Sequence, residues 1–217
     1  MTSSRPNTGR RPISTEAVGG FTSHVRTRDP ARKSRILAAA ADLVAQKGFH
    51  AVSIAEIGAA AGITGSGIYR HFDSKSAVLV ALFDRVIDDL LRDEQEILRS
   101  TTDLKVALDL LIAGQVEFVV ADRKLAQVYY IEINNLPEDD RRRLRRKQRL
   151  YLEEWVHLVT ELRDELSDTD ARAVVHAAIG AIQSTVFHNT GVDAERLRTL
   201  LTEAARSILR TGDGSAH

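Results

Sequence analysis

Between positions 64 and 75 the sequence gathers Thr64, Gly65, Ser66, Gly67, Tyr69, Arg70, His71 and Lys75. That set is rich in small residues, hydroxyls and cations, and it holds no acid–nucleophile arrangement. Its chemistry is recognition: hydroxyl, ring and ammonium groups suit phosphate oxygens, and a guanidinium can grip the edge of a guanine with two N–H groups. A second pair, Glu154 and His157, has the i, i+3 spacing of a carboxylate-bridged di-metal bundle. Such a centre needs another pair and two further carboxylates, and no other histidine follows a glutamate at that spacing. A helical enzyme built on Glu154 and His157 is therefore the disfavoured alternative. The chain has no Gly-x-Ser-x-Gly, no phosphate-binding loop and no His-Glu-x-x-His, so the expectation is a protein without enzymatic activity, metal or cofactor.

The residues around the polar set must hold it rigidly. Ser53 and Glu56 have the spacing of a capping box, in which each side chain satisfies the other's backbone amide and starts a helix. Ile54, Ile57 and Ala61 form the buried stripe of that helix, Gly62 permits a tight turn, and Ile63 plugs the corner. Thr64 can cap a third helix reaching about His71, with Ile68 and Phe72 turned inward. Gly65 and Gly67 each cost a helix about 1 kcal/mol against alanine, which implies a close approach of the backbone to something. A helix, a glycine turn and a second short helix with a small polar face form a helix-turn-helix, whose second helix enters the major groove. Upstream, Ile36, Leu37, Ala40, Leu43 and Val44 share one face of a first helix, about Pro30 to Lys47, closed by Gly48.

The rest of the chain also reads as helix. Expected elements run from Ser74 onward, then over 104–120, 123–134, from Pro137 to about Leu166, 167–189 and 193–211. The fold class is thus all-α, with about nine helices. A disordered basic tail covers 1–28, a three-helix head 29–76, and a helical body 77–217. Residues 1–75 carry 11 Lys+Arg against 5 Asp+Glu, about +6, which leaves 19 against 25, about −6, for the rest. A basic head on an acidic body suits a protein that meets a polyanion with one end. The arginines of the tail are either solvated or an arm that follows phosphates.

Residues 53–75, SIAEIGAAAGITGSGIYRHFDSK, resemble the DNA-binding domain of the TetR family of one-component regulators. The likeness rests on the Ser53 cap, Ile57-Gly58, Ala61-Gly62-Ile63, Tyr69-Arg70-His71-Phe72 and Ser74-Lys75, and it extends over about Arg32 to Ala77. The sequence departs from many relatives at Gly65 and Ser66. The resemblance implies a ligand-responsive regulator, most simply a repressor released from a palindromic operator, with an activator of the same fold as the variant reading. It implies that Ser53 and its amide hold a phosphate, and that Tyr69, His71 and Lys75 grip phosphates on either side of the groove. Thr64, Ser66 and Arg70 would lie near base edges. Arg70 could equally meet phosphate, and His71 could equally be a packing residue.

For the body, the resemblance implies a homodimer through the last two helices, about 167–189 and 193–211, and a small hydrophobic effector. Residues available to line a pocket are Phe118, Tyr129, Tyr130, Tyr151, Trp155, Gln183 and Phe187. A basic run, Arg141 to Arg149, follows Glu138, Asp139 and Asp140. It is either a solvated face or an anion site at a pocket mouth, such as for the phosphates of a coenzyme A thioester. The segment 135–156 is also similar to actinobacterial family members that control fatty-acid or sterol catabolism, so an acyl-CoA or fatty acid is the expected effector. No apolar run approaches the roughly 18 residues of a membrane span, there is no apolar leader, and there are no cysteines. A cytoplasmic location without membrane partners is the expectation.

Overall fold

A computed structural model describes residues 30–188 and 190–210. The basic tail expected over 1–28 lies outside the described residues, as do positions 189 and 211 at the ends of the two expected dimer helices. Nine α-helices and one 3-10 turn make up the described residues: α1 Pro30–Lys47, α2 Ile54–Ala60, α3 Gly65–Ile68, α4 Lys75–Ser100, α5 Leu104–Ala121, α6 Arg123–Glu132, a 3-10 turn Ile133–Asn135, α7 Glu138–Leu162, α8 Asp168–Ser184 and α9 Ala194–Leu209. Among them no helix is long and apolar enough to cross a membrane.

The starts of the helices follow local chemistry. Ser53, Ser74, Asp103, Ser167 and Asp193 all accept hydrogen bonds from amides of the helices that follow them. Thr64 occupies the cap position of α3 without a side-chain cap bond. Three ends differ from expectation. The third helix is a single turn, stopping at Ile68 instead of His71, as its two glycines would have it. Helix α7 stops at Leu162, where Arg163 leaves helical geometry (φ −137°, ψ 77°). Helix α8 stops at Ser184, with Val186 and Phe187 donating back to Gln183 and Ser184 in tight turns.

Helices α1–α3 form the head, with Ile36, Ile57, Ile68 and Phe72 buried together. Helix α4 begins at the head and runs on into the body, so the boundary expected near 76 falls within its first turn. A second tie crosses from head to body: Phe49 N–H donates to the buried Glu132 Oε1 at 3.1 Å, Glu132 also accepts from Asn135, and His50 Nε2 lies 3.1 Å from Asn135 Oδ1. In the body α5 packs between α7, α8 and α9, and α8 lies along α9.

The apolar stripes of α8 and α9 face the core of their own chain. Ala171, Val175, Ala178 and Ile182 are fully buried, as are Ala205 and Leu209, with Leu197 and Leu201 nearly so. The open faces of these helices are different: Ala173, Ala177, Gly180 and Ser184 on α8, and Leu200, Glu203, Ala204 and Ser207 on α9. Periodicity reports one buried face, and the chain's own core claims it first.

Candidate functional site

The head is built around its corner. Ser53 Oγ accepts from the Glu56 amide at 3.2 Å, and Glu56 Oε2 accepts from the Ser53 amide and hydroxyl, both at 2.8 Å. Lys47 adds an ammonium at 2.8 Å from Glu56 Oε1. Those donors hold the Glu56 carboxyl down at about 2, with Lys47 the largest cause. Ser53 thus acts in folding the corner: its amide, expected at a phosphate, already serves a carboxylate. The turn is closed by Gly62 at φ +66°, with Ile63 N–H donating to Gly58 O at 2.8 Å.

Gly67 has a packing reason. A Cβ there would sit 2.6 Å from Ile63 Cγ2 and 3.2 Å from Thr64 Oγ1, so α3 lies directly on the corner isoleucine. The close approach implied by the glycine is therefore internal. Ile68 and Phe72 point inward, while Tyr69 is 56% exposed with Arg70 exposed beside it. His71 is half-buried, and Thr64 is exposed. Gly65 lies in α3, while its surroundings and the side chain of Ser66 lie outside the described set.

Lys75 departs most from its expected place. Its ammonium donates to Phe49 O at 2.8 Å, Val52 O at 2.7 Å and His50 O at 3.4 Å, and it stands 4.4 Å from the centre of the Phe49 ring. All three protons serve main-chain carbonyls of the α1–α2 link, so this lysine braces the head from within.

The body holds two neighbouring hollows. The inner cavity, about 260 Å³, is lined by Tyr129, Tyr130, Tyr151, Gln115, Gln148 and Gln183, with Ile87, Leu90 and His176 among its other walls. Its polar groups are cross-linked: Gln148 Nε2 donates to Tyr129 Oη at 2.9 Å, Gln115 Nε2 donates to Tyr130 Oη at 3.2 Å, and Tyr151 Oη donates to Gln115 Oε1 at 3.1 Å. Burial pushes all three phenols up, Tyr130 to about 12, so they stay protonated. The larger cleft, about 540 Å³, lies where α1 meets α4, α5 and α6, and Phe118 lines it. Trp155 is fully buried and Phe187 is 51% exposed; neither lines these two hollows. Four of the seven expected pocket residues thus share the inner cavity. Gln115, Gln148 and His176 were missed. A signal existed for Gln115, a lone polar residue on the inward face of an apolar helix, 1% exposed.

The basic run is largely self-neutralised. Arg141 pairs with Glu138 and Arg142 with Asp139 within the first turns of α7. Arg143 meets Asp84 of α4 with both guanidinium nitrogens, and Lys147 reaches Asp84 at 2.9 Å and Asp88 at 2.7 Å. Burial raises the Asp84 carboxyl, but the bonds from Arg143 and Lys147 outweigh it and leave the group below its ordinary value. The run is an α4–α7 clamp. Farther along α4, Glu94 is 2% exposed, and burial, with the Glu154 charge second, pushes its carboxyl up to about 8. Glu154 and His157 are exposed, and the described residues contain no group of three or more acids and histidines able to hold a metal ion.

A family model described as bacterial regulatory proteins, tetR family, matches residues 36–82, and one described as a tetracyclin repressor-like C-terminal domain matches 103–187. The chain is 31% identical over 110 residues to the HTH-type transcriptional repressor KstR2 of Rhodococcus jostii, covering 51% of this chain and 54% of that one. The match therefore spans about half the length of that relative. A TetR-family regulator of Bordetella parapertussis superposes with a TM-score of 0.75 at 24% identity, over 86% of this chain and 97% of the other. The regulator FadR of Bacillus subtilis, solved with stearoyl-CoA, gives 0.66 at 23%, over 79% and 96%. Those two likenesses concern the fold. The head's corner, the order of the helices and the two family matches, which together take in more than half the chain, agree: this protein belongs to the TetR family of bacterial regulatory proteins.

Proposed function

We propose that the protein is a dimeric transcriptional repressor that binds operator DNA through its head and is released by a small molecule held in the body. The observation that carries this reading is the outward face of the head: Tyr69 and Arg70 stand exposed immediately after α3, on a corner whose Ile57, Ile68 and Phe72 are buried. In this reading Arg70 reaches a base edge or phosphate, and Tyr69, His71 and Thr64 fix the register of α3. Ser53 and Lys75 hold the corner rigid for them.

Dimerisation through the open faces of α8 and α9 brings two heads to successive major grooves, about 34 Å apart. The small residues Ala173, Ala177, Gly180 and Ala204 allow close approach of helices, and exposed Leu200 supplies apolar contact. The effector occupies the inner cavity, walled by α4 on one side. A ligand that separates α4 from α7 changes the angle at which α4 carries the head, and operator affinity falls by the ligand's preference for that state. An acyl-chain effector is favoured because FadR of Bacillus subtilis was solved with stearoyl-CoA.

The test uses DNA selected by the wild-type protein from a random pool. The double variant Tyr69→Ala/Arg70→Ala is expected to bind it at least about 100-fold more weakly, with helicity and dimer mass unchanged. Normal binding by that variant sinks the assignment. Wild-type affinity should also fall steeply with salt, because phosphate contacts dominate.

A further inference from the structure

The inner cavity and the junction cleft share a wall. Leu90 of α4 lines both, and the Phe118 ring of the cleft packs edge-on against the Tyr130 ring of the cavity, with centroids 6.5 Å apart. The two sides differ in chemistry. The inner side offers phenol and amide groups with no lysine or arginine to pair with an anion. The cleft offers hydrocarbon: Leu37 and Ala41 of α1, Leu82 and Val86 of α4, Phe118, and Leu125 of α6. Much of its charged rim is already paired, Arg92 with Asp89 and Asp93, and Glu117 with Arg198. Gly114 lies in the cleft wall inside helix α5, where a Cβ would meet nothing within 4 Å. An interior helical glycine costs stability, and here no neighbour fills the space it leaves.

We propose that these hollows are two compartments of one effector site. Its ligand carries an uncharged carbonyl, held among the tyrosines and glutamines, and an apolar tail that passes Leu90 and Phe118 to lie against α1. The proposal rests on the effector reading above and adds how the ligand divides between the two compartments, with a consequence: only a tail long enough to enter the cleft touches the head directly. Together the compartments amount to about 800 Å³, from 260 and 540, within the range of ligand sites. A free fatty acid is disfavoured, since no lysine or arginine lines the inner cavity to pair with its carboxylate.

The test is calorimetry on the full chain with N-acetylcysteamine thioesters, which present an acyl carbonyl without phosphates. Each methylene that enters apolar surroundings is worth up to about fourfold in affinity. The dodecanoyl thioester is expected to bind at least about 30-fold more tightly than the hexanoyl one, and at least about tenfold more tightly than dodecanoate. Gly114→Leu, which fills the cleft, should bring the dodecanoyl thioester down to the hexanoyl affinity and leave the hexanoyl unchanged. Ala41→Leu, on the α1 wall of the cleft and outside the inner cavity, fills the cleft from the other side and should do the same. Equal affinity along the series, dodecanoate binding as tightly as its thioester, or a loss in Gly114→Leu that is the same for both lengths, overturns the proposal. Absence of binding by every thioester removes the effector reading with it. Length-dependent binding by a protein that fails to recognise DNA upholds the proposal and strikes only the DNA reading.

Discussion

The head and the body solve the same problem, positioning polar groups on helices, by opposite means. In the head the corner itself is held by contacts close in sequence, Ser53 with Glu56 and Ile63 with Gly58 and Gly67, and Lys75 braces it against three carbonyls 23 to 26 residues back. In the body the decisive contacts join distant segments. Arg143 and Lys147 meet Asp84 across 59 and 63 residues, Tyr151 meets Gln115 across 36, and Glu94 faces Glu154 across 60. A unit of the first kind is rigid by itself. One of the second kind changes when a single helix moves, which suits the effector role proposed for the body.

The largest expected effect probes the body. At pH values between about 4.5 and 8 the folded protein keeps a proton on Glu94 that the unfolded chain has lost. Stability therefore falls as pH rises through that window and levels off above it. The wild type should lose on the order of 3 kcal/mol from pH 5 to pH 8 that Glu94→Gln retains, read from denaturant unfolding at several pH values. Parallel curves for the two proteins would mean that Glu94 keeps no such proton in the folded state.

The next effect probes the head. Gly67→Ala forces a methyl group into Ile63 and should cost about 2 kcal/mol, weakening DNA binding while ligand affinity in calorimetry stays unchanged. A change in ligand affinity would break the separation between the two halves.

The smallest probes the clamp between them. Asp84→Asn weakens the contacts to Arg143 and Lys147 and should cost about 1.5 kcal/mol at neutral pH. The Asp84 carboxyl lies below its ordinary value in the folded state, so this stabilisation is complete above the unfolded value of 3.8 and disappears as pH falls through the folded one. Variant and wild type should then converge in strong acid. Persistence of the difference there would mean that the clamp is not electrostatic.

The same division governs what could be read from sequence. The capping box, the Gly62 corner and the inward Ile68 and Phe72 were legible because each depends on neighbours within a few residues. The aromatic half of the cavity was legible because Tyr129, Tyr130 and Tyr151 are large and lie on inward stripes. Gln148 and His176 were not, since only the packing of α7 and α8 shows that they line a hollow. The apolar stripes of α8 and α9 are visible in sequence, but their pattern does not say whether they meet the chain's own core or a second copy. For the basic run, seven cations in nine residues gave no hint of two aspartates on α4.

That clamp also bears on how the molecule meets its target. With Arg143 and Lys147 turned onto α4, and Arg141 and Arg142 onto their own helix, much of the run's charge is cancelled at short range. From a Debye length away, such a cluster nearly vanishes, and the acidic excess of residues 76–217 remains. Under the function proposed above, the body is then repelled by a duplex while the head is drawn to it, so the charge distribution would turn the protein during diffusion and present the Tyr69–Arg70 face before any contact is made.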